Sequence, residues 1–155
     1  MSIYTAKIKW KNDSGDTFAK NRYTRGHTWS FDGGVEVPAS SSPHSVRVPF
    51  SVEEAVDPEE ALVAAAASCH MLTFLWVAAK KGFVIDSYED NAAGEMTEGT
   101  DGKQWVSTIT LDPQIEWSGD TKPTAEELAA MHHEAHEGCY IANSVKSEIV
   151  IKGYA

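Results

Sequence analysis

Hydrophobic and polar positions change their period along this chain, and each change marks an element. In residues 3–10, Tyr4, Ala6, Ile8 and Trp10 alternate with Thr5, Lys7 and Lys9. A period of two predicts a strand with one apolar face. Residues 12–16, Asn-Asp-Ser-Gly-Asp, predict a turn. His27–Phe31, the Asp32-Gly33-Gly34 turn and residues 35–37 predict a β-hairpin. Residues 40–45 read as a loop. Residues 45–50 read as extended or irregular backbone, because Pro49 has no N–H for a ladder.

The pattern then becomes helical. Asp57-Pro58-Glu59-Glu60 places Asp at the N-cap, Pro at the first helical position and Glu at the third, a capping box. The helix is predicted to run through Lys81 and stop at Gly82, with Lys80 and Lys81 complementing its dipole. It would be roughly 36 Å long. It is apolar almost all round, so it should be surrounded by protein. Residues 84–96 and 104–117 predict two long strands joined by a turn at 98–103. Thr124-Ala125-Glu126-Glu127 is a second capping box, opening a helix through about Glu137. Gly138 interrupts it, residues 139–146 resume a short helix, and 147–153 form a closing strand. Strands, long helix, strands, helix and strand make an α+β chain, with helices against a largely antiparallel sheet. There are no repeats, and residues 1–155 read as a single domain.

Composition narrows the function. Thirteen basic against 23 acidic residues give a net charge of −10. That disfavours nucleic acid and anionic membrane surfaces as partners. The longest apolar run, residues 61–79, is Ala-rich and interrupted by Ser68, Cys69 and His70, and it reads as a buried helix rather than a membrane span. Residues 1–10 do not resemble a signal peptide, and a cytoplasmic protein is expected. In a reducing compartment, Cys69 and Cys139 are reactive, metal-binding or simply buried in preference to a structural disulfide.

The sequence Asp57-Pro58-Glu59-Glu60-Ala61-Leu62-Val63-Ala64-Ala65-Ala66-Ala67-Ser68-Cys69 resembles the Asn-Pro-Glu-Glu-Leu…Ala-Ala…Cys helix of the OsmC/Ohr family. Cys139-Tyr140-Ile141-Ala142-Asn143-Ser144-Val145-Lys146, followed by a strand, resembles that family's second motif, Cys-Pro-Val-Ser…Leu-Lys. The element order matches from end to end. Two departures are Tyr140 in place of proline and His70-Met71-Leu72 after the first cysteine; they mark a divergent branch. The resemblance implies an OsmC-like fold: an antiparallel sheet, a long buried central helix and a second helix pair, in an intertwined homodimer. It implies reduction of organic hydroperoxides, with hydrogen peroxide as a further substrate. It implies no cofactor and no metal, a Cys69–Cys139 disulfide, and a dithiol reductant such as a lipoyl-protein.

The residues can be weighed beside that resemblance. A thiol reduces a peroxide as the thiolate, yet free cysteine titrates near about 8.5. Cys69 lies mid-helix, where the dipole gives little help, so a cation must approach it. Lys80 and Lys81 are roughly 16–18 Å further along the axis. Arginine from another element suits, since it stays charged when partly buried. Arg25 ahead of the hairpin resembles the Ohr placement and is favoured; Arg47 resembles the OsmC placement. Glu59 aligns with the family carboxylate that holds this arginine. It lies about 15 Å along the axis from Cys69 and on a different face. Glu59 and the arginine of one chain, with Cys69 and Cys139 of the other, would therefore share one site at a dimer interface. Cys139, after Gly138, is expected to open a helix, which would lower its pKa.

Other readings of these residues compete with this one. Cys69 oxidation could act as a non-catalytic redox sensor or binding module on the same fold. His132, His133 and His136, with Glu134 and Glu137, suggest a metal-dependent hydrolase, but a solvated helix face is preferred and no metal is expected. Either cysteine could be inert core, Glu59 a helix-start charge, and Arg25 a surface residue.

Overall fold

The computed structural model describes residues 1–13 and 15–154, and of Asp16 the backbone only. The chain divides into two compact units, Met1–Ala61 and Leu62–Ala155.

The first unit is built on a three-stranded antiparallel sheet. Strand β1 (Ala6–Lys9) pairs β2 (His27–Phe31), which pairs β3 (Glu36–Ala39). The predicted hairpin is present, and β3 begins one residue later than expected. β1 is shorter than its alternating pattern, and in the single chain all four residues are exposed. The turn expected at residues 12–16 falls partly on Ser14, outside the described residues. A 3-10 helix over Gly15–Lys20 follows, a feature the sequence reading missed. It brings Phe18 within 5.7 Å of Trp10 and 4.6 Å of Tyr23, ring centroid to centroid, so three aromatics cluster beside the sheet.

Helix α1 (Pro58–Lys80) begins as its sequence dictates. Glu60 donates its N–H to Asp57 Oδ1 at 2.8 Å, and Asp57 donates its own to Glu60 Oε2 at 3.1 Å. Its end is equally local. Gly82, at φ +82°, donates to Ala79 O, and Phe83 donates to Ala78 O, the paired bonds of a Schellman stop.

In the second unit the two predicted long strands each break once. They become β4 (Val84–Asp90), β5 (Ala93–Glu98), β6 (Gln104–Leu111) and β7 (Pro113–Ser118). β4 pairs β7 and β5 pairs β6, both antiparallel, so one long hairpin is divided into an outer and an inner half. The break is built at Asp112, whose N–H is accepted by Asp90 Oδ1 at 2.8 Å while its carboxylate takes Lys152 Nζ at 2.7 Å. Pro113 follows and cannot donate to a continuing ladder. Helix α2 (Ala125–Gly138) carries the predicted capping box, Thr124 with Glu127. A 3-10 turn, Ala142–Ser144, and strand β8 (Glu148–Ile151) complete the unit. β8 lies parallel to β6, the one parallel pairing among the described strands.

α1 packs differently along its length. Near its start Ala66 joins Ile109, Leu111, Ile149 and Ile151 from β6 and β8. Further on, Phe74, Val77 and Ala78 meet Met131 and Ala135 of α2, with Ile115 and Trp117 of β7 around them. Full burial of each Ile, Leu, Val, Phe or Met side chain among these stabilises by about 1.5–3 kcal/mol, and of each alanine by less. The helix was expected to be enclosed on all sides. In the single chain that holds for one face, and Leu72 and Trp76 on the other are 61% and 60% exposed. α1 is long and apolar enough to cross a membrane by length and composition, but its buried face forms the core described here.

Candidate functional site

Cys69 lies on α1 half-buried, and Cys139 is fully buried at the end of α2. Both are free thiols, and they lie near enough for the Cys69 thiol to act on the ionisation of Cys139. Local bonds explain why each cysteine sits where it does. On α1, Thr73 Oγ1 donates to Cys69 O at 3.0 Å, one turn back. The methyl of Thr73 would lie 3.0 Å from a Cβ placed on Gly138, so α1 approaches the end of α2 closely enough that any larger residue there would push this methyl aside by a few tenths of an ångström. At Cys139, Asn143 returns its N–H to the cysteine carbonyl at 3.1 Å, and its Nδ2 reaches Cys139 O and Glu137 O, each at 3.0 Å.

The expectation for Cys139 needs correction. It does not open a helix; it is the C-cap of α2, where the dipole offers a thiolate nothing. Burial, then the nearby Cys69 thiol, push its pKa up. Two backbone N–H groups oppose this, that of Ala142, 3.3 Å from Sγ, and that of Ile141. Cys139 is therefore held as the thiol near neutral pH, and Cys69 is the more accessible of the two.

The histidines of the same two helices adopt an arrangement that the sequence did not reveal. His132 is not on a solvated face. It is 1% exposed, as is His70, and His70 Nε2 lies 3.0 Å from His132 Nδ1. The two rings are parallel within 6°, and Phe74 and Tyr154 each lie 4.4 Å from the His132 ring centroid. His70 turns away from its neighbour Cys69 into this pair, as adjacent helical residues must. His133 alone of the three α2 histidines is exposed, and among the described residues no group of three metal-capable side chains assembles.

Burial, with the charge of His136, pushes the pKa of His70 down to about 4. Burial, with His70, does the same to His132, also to about 4. The unfolded chain takes up these protons near the ordinary 6.5, whereas the folded chain resists them until about 4. Folding stability should thus be constant above about pH 7 and fall as pH drops from about 6.5 to 4, by on the order of 2–3 kcal/mol per histidine. Urea unfolding at pH 7.5 and pH 5 measures this. In His70→Phe/His132→Phe the difference between the two pH values should shrink; an unchanged difference would exclude the pair as its source.

Lys80 and Lys81 both pair with Glu134 of α2, at 3.9 and 3.1 Å, and so are held at the far end of α1. The other predicted residues belong to the first unit. Arg25 precedes β2 and its backbone N–H bonds Phe50 O at 2.8 Å. Its guanidinium lies 3.7 Å from the Tyr23 ring centroid and donates to Tyr23 O at 2.6 Å and Asn21 Oδ1 at 2.6 Å. Asn21 adopts φ +60°, which turns its carbonyl and amide toward the arginine. Below Arg25, the His27 ring is fixed between Arg25 O (2.7 Å) and Trp29 Nε1–H (2.8 Å). Since the indole is only a donor, His27 accepts at Nε2 and donates from Nδ1. Trp10, Phe18, Tyr23, Arg25 and His27 line a cavity of about 450 Å³. Arg47 is exposed on a loop, and Glu59 is half-buried at the second position of α1 with no ion pair among the described residues.

Comparisons with known proteins agree with this architecture. The family model described as OsmC-like protein matches residues 51–152, which include Glu59, Cys69 and Cys139. An OsmC-like protein of unknown function from Vibrio cholerae is 51% identical, over 98% of this chain and 99% of its own, with a TM-score of 0.95. An organic hydroperoxide resistance protein from Legionella pneumophila shares the fold at 17% identity, with a TM-score of 0.66 over 98% of this chain and 96% of its own. One from Elizabethkingia anophelis does so at 16% identity and 0.67, over 97% and 94%. No curated protein matches the sequence. A family match spanning most of the chain, a half-identical relative over nearly all of it, and the two cysteine motifs converging in space place this chain in the OsmC/Ohr family.

Proposed function

We propose that the protein is a thiol-dependent peroxidase that reduces organic hydroperoxides. The observation that carries this is the proximity of a half-buried thiol on α1 to a buried thiol at the end of α2. Cys69, as thiolate, attacks the terminal peroxide oxygen. The O–O bond breaks, the alkoxide takes a proton and leaves as alcohol, and Cys69 becomes a sulfenic acid. Cys139 then attacks the Cys69 sulfur, the S–O bond breaks, water leaves and a disulfide forms. The Ala142 and Ile141 N–H groups offset part of the burial that disfavours the Cys139 thiolate in this step. An external dithiol, such as a lipoyl-protein, returns both thiols and itself becomes a disulfide.

The active assembly in this reading is a homodimer with shared sites, the arginine and Glu59 of one chain facing Cys69 and Cys139 of the other. The exposed Leu72 and Trp76 on α1 support a second copy covering that face. The aromatic cavity beside Arg25 suits an organic peroxide better than hydrogen peroxide. The hydroperoxide resistance proteins of the same fold support the reaction class. A peroxidase assay with dihydrolipoamide tests it. Cumene hydroperoxide should be consumed with kcat/KM at least about tenfold above that for hydrogen peroxide, a difference of about 1.4 kcal/mol. Consumption of neither peroxide would refute the reading.

A further inference from the structure

A second cleft in the first unit gathers cations. It has a volume of about 300 Å³ and is lined by Lys20, Arg22, Arg25 and Arg47, with Ser45 and Phe50 between them. No described carboxylate lines it, although the chain carries 23 acidic residues against 13 basic. Lys20, Arg22 and Arg47 are exposed and form no ion pair among the described residues. Like charges gathered without a counter-charge repel one another, and this cost persists unless an anion offsets it.

The backbone holds this arrangement. Asn21 N–H bonds Phe18 O at 2.9 Å and Arg22 N–H bonds Thr17 O at 3.1 Å, so the segment bearing Lys20 and Arg22 is closed on itself. Opposite, Val46 N–H bonds Ser42 O and Phe50 N–H bonds Arg47 O, each at 3.0 Å. The Arg25 N–H bond to Phe50 O joins the two segments. The Arg25 side chain is committed to Asn21 and Tyr23, so it adds charge to the wall, while the Arg22 and Arg47 side chains form no ion pair among the described residues.

We propose that this cleft binds a small dianion of the phosphate class, as the free ion or as a phosphate monoester. Guanidinium groups match phosphate oxygens in paired hydrogen bonds. Four cations leave a monoanion undercompensated. The cleft is small, and the net charge of −10 repels an extended polyanion, while a compact ion within a Debye length of about 8–10 Å feels the local cations.

Calorimetric titration of the full chain at low ionic strength tests the proposal, using inorganic phosphate, glycerol phosphate and acetate as probes. Phosphate or its monoester should bind saturably, at least about tenfold more tightly than acetate. The tighter of the two tells the free ion from the ester. Arg22→Ala/Arg47→Ala should weaken binding at least about tenfold, and Arg22→Lys/Arg47→Lys should recover part of it. The lysine variant also preserves the test if the alanine variant fails to fold. Cys69→Ser should bind phosphate as the wild type does, so the outcome is separate from the peroxidase reading. Absence of saturable binding up to about 10 mM, equal affinity for acetate, or unchanged affinity in both double variants would overturn the proposal.

Discussion

Cys69→Ser is expected to abolish peroxide reduction, lowering kcat/KM by at least about 10³-fold, equivalent to about 4 kcal/mol of lost transition-state stabilisation. A serine hydroxyl is not ionised near neutral pH and cannot form a sulfenic acid, so no other group replaces the attacking sulfur. Cys139 does not substitute for it: that thiol is fully buried and its pKa is raised. The fold should survive, because the change is close to isosteric at a half-buried position. Equal thermal stability of the variant and wild type shows that the loss is chemical. Turnover within about tenfold of wild type would remove Cys69 from the mechanism.

Arg25→Ala should give the second largest effect. A guanidinium facing the thiol of a partner chain would favour its thiolate and steady the oxygen that leaves as the peroxide bond breaks. Arg25 is pre-set for such a role: its backbone is tied to Phe50, its side chain to Asn21 and Tyr23, and His27 supports its carbonyl. Its removal should slow peroxide reduction at least about tenfold and shift the pH profile of Cys69 alkylation to higher pH. Glu59→Ala should produce a smaller defect in the same direction. Measuring alkylation rate against pH in Arg25→Ala and Arg47→Ala, each with Cys139→Ser, separates the candidates. A shift confined to Arg47→Ala would move the role to Arg47, and a shift in neither would end the activation mechanism.

Elements fixed by neighbouring residues were legible in the sequence. The ends of α1 follow from Asp57, Glu60 and Gly82, and the start of α2 from Thr124 and Glu127, because every bond involved spans only a few residues. The hairpin of β2 and β3 was legible for the same reason. Features that depend on distant partners were not. Apolar alternation continues across Asp112, so the break between β6 and β7 showed only in Pro113 and in the Asp90 and Lys152 contacts that folding supplies. His132 and His136, four residues apart, looked like an exposed helix face. Only the approach of α1, 62 residues away in sequence, buries His132 against His70. The setting of Cys139 was misread. Gly138 belongs to α2, and Cys139 follows as its cap instead of opening the next turn. The spacing of Thr73 from Cys69 and of Asn143 from Cys139, four residues each, was the available signal for the bracing around the two thiols.

The central claim is that the two thiols act as one redox pair. Its most direct test is mass spectrometry of the wild-type chain after one equivalent of cumene hydroperoxide, with free thiols alkylated before digestion. The account predicts a single peptide pair joined through Cys69 and Cys139, reverting to two alkylated cysteines after dihydrolipoamide. Cys139→Ser should instead hold Cys69 as a sulfenic acid that dimedone captures. Recovery of both cysteines as alkylated thiols, or of Cys69 over-oxidised beside a free Cys139, would contradict it.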